Sequence, residues 1–349
     1  MNDHARDADL LTAALLAEPA GTVECWRQWR EAVDPDSMSE DCVRLLPVLV
    51  TGRTHLLTGD PGRNLFLGIC KRAWTRNQLL LRTFVELLTA LERAGVTGVA
   101  AGGPVAWALW YQNAGSFRPI HYLAMIVSRA AAVAAAQVFY DLGWVPAPGS
   151  AVAGTEYLDY VPAVWLRGPQ GEGLKLSWRL FPAPPELAGT WEILPPMERV
   201  SLQCASVAVP PPVVMLAGAL SGVADDGQVD WRCDALLILR AGNTPDWELV
   251  RKWLRFAPRA HGRSGELSRI SGMSLPALKA HGPVRIVSQW EFLWSNYCDW
   301  RAVSGTRPSP AGFIRFLSER WQVPVWKLPF AGMGYALRYV LPRRGEQIT

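Results

Sequence analysis

The side chains able to do chemistry in this chain are spread thinly and match few known constellations. The five histidines stand at His4, His55, His121, His261 and His281, and none shares zinc-ligand spacing with a cysteine. Cys25, Cys42, Cys70, Cys204, Cys233 and Cys298 form no C-x-x-C pair. Such usage fits reduced, mostly buried thiols. There is no G-x-x-x-x-G-K-[ST] phosphate loop, no H-E-x-x-H and no G-x-S-x-G elbow. Gly332-Met333-Gly334 lacks the third glycine of a dinucleotide fingerprint. The densest acid group, Asp225, Asp226, Asp230 and Asp234, lacks calcium-loop spacing and reads as a solvated loop and helix start. The basic run from Arg255 to Arg269 carries Arg259, Arg263 and His261 but is interrupted by Glu266. It reads as a solvated loop, which disfavours nucleic acid as a partner.

The bulk of the chain sets the frame for those residues. At 349 residues, half of them apolar, it can bury a sizeable core and is not a disordered polymer. A net charge of +4 does not by itself imply nucleic acid. Tryptophan is the outlier, with 17 residues. Its ordinary use is core and inter-domain packing; an aromatic surface for a protein or peptide partner is the sharper alternative. The uncharged stretch from Ala94 to Phe117 contains Gly95, Gly98, Gly102, Gly103, Pro104 and Gly115. That content argues for a strand, a turn and a helix rather than a membrane span. Met1 to Asp9 carries acids and no apolar run, so a cytoplasmic location and no membrane partner are expected.

Hydrophobic periodicity predicts the elements. Residues to about 95 read as helical. Leu10, Leu11, Ala14 and Leu15 start the pattern, and a second helix begins at Ser39 with Glu40 and Asp41 near its positive end. After Pro61-Gly62, an apolar stripe runs through Leu65, Ile69, Ala73, Leu80, Phe84, Leu87, Leu88 and Leu91 to Gly95. Residues 96–182 change period. Thr97 to Ala101 is a strand, Gly102-Gly103-Pro104 a sharp turn into a helix through Tyr111, and Leu123 to Ser128 a buried strand. Ala130 to Leu142 is a helix closed by Gly143. Tyr157 to Leu166 and Leu174 to Leu180 are further strands, joined by a turn at Gly168 to Gly173. Residues 183–349 read as mainly helical, with apolar runs at Val200 to Val209 and Val213 to Leu220. Helices are expected at Trp231 to Leu239 and Asp246 to Phe256, and a basic loop at Pro258 to Gly265. The fold class is α/β (α+β), a mixed-sheet core flanked by helical regions.

Several short texts recur in one order. Arg76-Asn77 opens the long helix, then come Gly102-Gly103, Tyr111, Arg118-Pro119, Met125-Ile126-Val127, Gly143-Trp144 and Leu176-Ser177-Trp178-Arg179-Leu180. Later follow Leu216 to Leu220, Trp231 with Asp234, and Asp246-Trp247. This succession, over about residues 10 to 257, resembles the bacterial uncharacterised nucleotidyltransferase family, often found in peptide and natural-product gene clusters. The resemblance implies a nucleotidyltransferase-like core. In that fold two carboxylates two residues apart share one strand face, and a third comes from a neighbouring strand. Together they hold two divalent metals for phosphoryl transfer.

The chain departs from the pattern at those positions. Anchored on Arg118-Pro119 and Val127, the paired acids fall at Tyr122 and Ala124, or at His121 and Leu123 one register away. The third falls at Lys175, and the following histidine position is Ser177. Arg93 to Tyr140 contains no Asp or Glu. A hard Mg²⁺ ion needs oxygen ligands, so these replacements should abolish a two-metal site. Gly102 and Gly103 serve either a tight turn or a residual phosphate cradle. Lys175 either points to solvent or joins Arg118, His121 and Arg179 in binding a phosphate or carboxylate without metal. The expected function is therefore a catalytically degenerate nucleotidyltransferase-like protein. It would need no cofactor and would act as a binding or accessory protein for a protein, peptide, nucleotide or anionic small molecule, in a biosynthetic or regulatory pathway. One alternative is an active nucleotidyltransferase using NTP and Mg²⁺ with acids relocated to Glu156, Asp159 or Glu172. Another is a repurposed pocket with His121, Tyr122 and Lys175 as acid/base groups.

Overall fold

A computed structural model of the chain describes residues 10–12, 14–15, 19–106, 108–109, 118–147, 163–178, 197–203, 205–221, 231–240, 245–254 and 260–271. All of them belong to one compact unit, Met1–Lys279.

The first helices begin where local chemistry starts them. Helix α1 spans Pro19–Ala32 and α2 spans Glu40–Thr51. The Ser39 side chain accepts from the Cys42 backbone N–H at 3.3 Å, and Glu40 and Asp41 sit in the positive first turn of α2. The long helix α3, Arg63–Arg93, starts just after Pro61-Gly62. It ends in a glycine cap: Gly95 takes φ +72°, and Val96 N–H donates to the Leu91 carbonyl at 2.9 Å. The predicted stripe is shifted at its start. Leu65 is 40% exposed, whereas Phe66 is fully buried, because Phe66 shares the helical phase of Cys70, Leu80, Phe84, Leu87 and Leu91.

The sheet follows the predicted order, with the short strand Val145–Pro146 added, which the sequence reading does not include. Strand β1 is Gly98–Ala101, short helix α4 is Gly103–Ala106, β2 is Leu123–Val127 and helix α5 is Ala132–Asp141. Gly143 closes α5 at φ +82°. Strands β3 (Val145–Pro146), β4 (Ala163–Arg167) and β5 (Gly173–Ser177) complete a mixed sheet of order β1-β2-β5-β4-β3. Strand β2 lies antiparallel to β1 and parallel to β5, while β4 lies antiparallel to β5 and β3. Every residue of β2 is buried, as befits a strand covered on both faces. The fold is thus a mixed α/β one. The parts of the predicted strand and helix at Tyr157–Pro162, Arg179–Leu180 and Trp110–Tyr111 lie outside the described residues.

Two corrections concern the later chain. The apolar run Val200 to Val209 is a hairpin of β6 (Glu198–Leu202) and β7 (Ala205–Val209), paired from Leu202 with Ala205 outward. Gln203 takes φ +46° in its tight turn. The expected basic loop at Pro258 to Gly265 is instead largely helix. After α6 (Pro212–Ser221), α7 (Trp231–Arg240) and α8 (Trp247–Leu254) comes α9, Ala260–Ser271. Gly262 and Gly265 weaken a helix, but packing overrides them. Leu267 is fully buried, and Arg263 donates to the Ala219 carbonyl at 2.7 Å and lies 4.6 Å from the Trp231 ring centroid. Arg263 is therefore a packing residue, not a solvated loop cation.

Two cores share α3. One gathers α1, α2, the start of α3 and α6 to α9 around Trp29, Phe66, Leu216 and Leu236. The other gathers the second half of α3, the sheet, α5 and the hairpin around Phe84, Met125, Phe139 and Leu176. The helices before and after the sheet thus pack on one another. Trp26, Trp29, Trp144, Trp178 and Trp231 are buried in these cores, whereas Trp74 is 52% exposed.

Candidate functional site

The segment entering β2 carries three of the candidate residues, Arg118, His121 and Tyr122, and α3 fixes where it runs. Asn77, 1% exposed, sits on α3 between the two cores. Its Nδ2 donates to the Arg118 carbonyl at 2.8 Å, and its Oδ1 accepts from the Ile120 N–H at 2.7 Å. One side-chain amide thus satisfies both polar groups of a buried, non-helical turn of chain.

Arg118 is held from several sides. Its Nε lies 2.9 Å from Oδ1 of Asp234 on α7, with both side chains largely buried. Its Nη1 would lie 3.0 Å from a Cβ placed on Gly103. Gly103 therefore leaves room for the guanidinium. Gly102 takes φ +62°, and a Cβ there would lie 3.2 Å from Cβ of Ala124. The glycine pair has a full structural reason, in backbone conformation at Gly102 and close approach at both. Asp234, placed by sequence in a solvated acidic group, is a largely buried ion-pair partner, its side chain 15% exposed. Asp225, Asp226 and Asp230 lie outside the described residues.

Beyond Ile120 the neighbouring side chains separate. Tyr122 packs edge-on against Trp165, with ring centroids 4.9 Å apart. Lys175 stands in register between Ala124 on β2 and Trp165 on β4, its Nζ 5.5 Å from the Trp165 ring centroid. The sheet thus brings Tyr122, Ala124 and Lys175 together with Gly102 on one patch. It holds a phenol, a methyl group and an ammonium where Mg²⁺ would need oxygen anions, so these residues do not suit a divalent metal. Among the described residues, no three of His, Cys, Asp and Glu gather as a metal site. Glu172 accepts from the Gln170 N–H at 3.0 Å and so shapes the β4–β5 turn. Glu156, Asp159 and Arg179 lie outside the described residues.

His121 has a different environment. Burial, then the charges of Arg44, Arg118 and Arg76, push its imidazole down to about 3, and Glu40 opposes this. The ring is neutral at pH 7. Arg44 comes from α2, where it pairs with Glu40, and Arg76 from the exposed side of α3. Neither was singled out by sequence as a neighbour of His121, because both precede it by long stretches of chain. Asn77 was visible only as part of the recurring texts, without a role, and Asp234 only there and in the acidic group. Among the described residues, Cys25 and Cys70 are free thiols, and burial raises Cys70 to about 11. No described helix is long and apolar enough to cross a membrane.

No protein-family model matches this chain, and no curated protein matches it either.

Proposed function

We propose that this chain is a nucleotidyltransferase-like protein without metal-dependent catalysis, acting as a binding or accessory protein for a protein, peptide or nucleotide partner. One observation carries the reading. Ala124 and Lys175 are register partners on adjacent parallel strands, at the positions where the resemblance calls for carboxylates. An ammonium in that place repels a divalent cation instead of holding it. The strand, Gly-Gly turn, helix and strand succession around Gly102 supplies the scaffold half of the argument.

The test is pyrophosphate release from ATP, GTP, CTP and UTP, each with Mg²⁺ or Mn²⁺ and a pool of peptide and small-molecule hydroxyl acceptors. The expected result is release no faster than without protein. Metal-dependent release abolished by Glu172→Ala, or by Glu156→Ala or Asp159→Ala, would replace this reading with an enzyme whose acids have moved.

A further inference from the structure

The outer face of α3 belongs to neither core. From Pro61 to Val85 the chain carries Arg63, Lys71, Arg72, Arg76 and Arg82 and no Asp or Glu. All five cations are exposed. Arg82 pairs with Glu86, whereas Lys71, Arg72 and Arg76 make no ion pair among the described residues. Large apolar side chains share the face. Leu65 is 40% exposed, Leu67 37%, Trp74 52% and Leu79 61%. One exposed leucine is ordinary; this group, with a tryptophan among it and no acid nearby on the helix, marks an interaction surface.

Helical phase orders these groups. Leu67 and Trp74 lie about two turns apart along one margin of the exposed arc, and Leu65 and Leu79 about four turns apart along the other. Lys71, Thr75 and Arg82 run between them. The β6–β7 turn bounds the face, since Gln203 donates to the Gln78 carbonyl at 3.3 Å and to its Oε1 at 3.1 Å. A helix that lies on a lipid surface gathers its apolar residues on one side and turns its cations toward water on the other. Here cations hold the centre of the outward arc and apolar groups its margins, so both must meet the same partner.

We propose that this face of α3 docks an acidic amphipathic segment of a partner protein, with carboxylates along Lys71 and Arg72 and apolar side chains against Trp74 and Leu67. An acid-free row of cations is complementary to such a segment, which speeds and orients encounter. Trp74 supplies the anchor, since large aromatic side chains carry much of the energy of protein interfaces. Because the cations are exposed, the attraction is screened by salt. The inference gives the binding-protein reading a class of partner and uses none of the residues on the sheet patch.

The test is fluorescence anisotropy of the full chain with a labelled helical peptide that carries a row of Glu flanked by Leu. The same peptide with Lys in place of Glu is the charge control. Binding of the Glu peptide that falls about tenfold or more in Trp74→Ala and in Lys71→Glu, but not in Arg167→Glu, supports the proposal. Arg167 is an exposed arginine of β4, and its substitution imposes the same change in net charge. Trp74 and Lys71 are exposed, so their replacement leaves both cores intact. Absence of Glu-peptide binding, equal binding of the Lys peptide, or undiminished binding by Trp74→Ala overturns the proposal. Vesicles of phosphatidylserine and phosphatidylcholine form a further arm; adsorption to them that exceeds peptide binding and is lost in Trp74→Ala overturns it in favour of a lipid surface. None of these results touches the reading of Ala124 and Lys175, which fails only on metal-dependent pyrophosphate release.

Discussion

At the scale of single residues, His121 and Asn77 make the sharpest claims. His121 stays neutral in the folded chain down to about pH 3, whereas an unfolded histidine takes up its proton near pH 6.5. Between those values the unfolded state binds more protons, so stability falls as pH falls. The slope from this residue is at most about 1.4 kcal/mol per pH unit. Denaturant titrations at pH 7 and pH 5 should show the loss, and His121→Asn should reduce it; an unchanged pH dependence in that variant would show that His121 titrates normally. Asn77 closes two buried hydrogen bonds. Asn77→Ala leaves the Ile120 N–H and the Arg118 carbonyl without that partner and should cost about 2 kcal/mol in urea unfolding. Sequence marked both residues but gave neither its partners, since those lie on elements far away along the chain.

At the scale of elements, the turn after β1 shows how much a short text can carry. Gly102-Gly103-Pro104 predicts a tight strand-to-helix turn, and Gly102 does adopt φ +62°. Gly102→Ala combines a left-handed conformation with a 3.2 Å approach to Ala124 and should cost about 1–3 kcal/mol. Restoring the parent stability by a second change at Ala124→Gly would show that the contact, not the backbone, sets the cost. The strands and α3 were legible because their apolar periods are long and their ends carry glycine or capping signals. The hairpin at Val200 to Val209 was legible only as an apolar run, since Gln203 is not a residue that announces a left-handed turn. Helix α9 was hidden for another reason. Gly262, Gly265 and its arginines read as loop text, and only burial of Arg263 and Leu267 against α6 and α7 makes it a helix.

At the scale of the whole molecule, α3 runs through both cores, and the Arg118–Asp234 pair ties the sheet side to α7. Removing one partner of a buried pair strands the other charge. Arg118→Met should therefore cost about 3 kcal/mol, and Arg118→Met with Asp234→Leu should recover much of it, as a double-mutant cycle would show. Additive losses would mean that the pair does not act as a unit. This closure was not legible in sequence, because periodicity reports which face of an element is buried and not which distant element covers it. The candidate site shares that limit. That Tyr122, Ala124 and Lys175 stand where the proposed resemblance calls for acids could be read from the chain, whereas their meeting on one sheet patch depended on strand register. The central proposal, that the chain is nucleotidyltransferase-like without metal-dependent catalysis, is tested most directly by thermal unfolding with ATP, GTP, CTP and UTP, each with Mg²⁺ and with EDTA. A ligand of the native state raises the melting temperature by mass action. The expected result is that any nucleotide shift is the same in Mg²⁺ as in EDTA; a shift that appears only with Mg²⁺ would contradict the account.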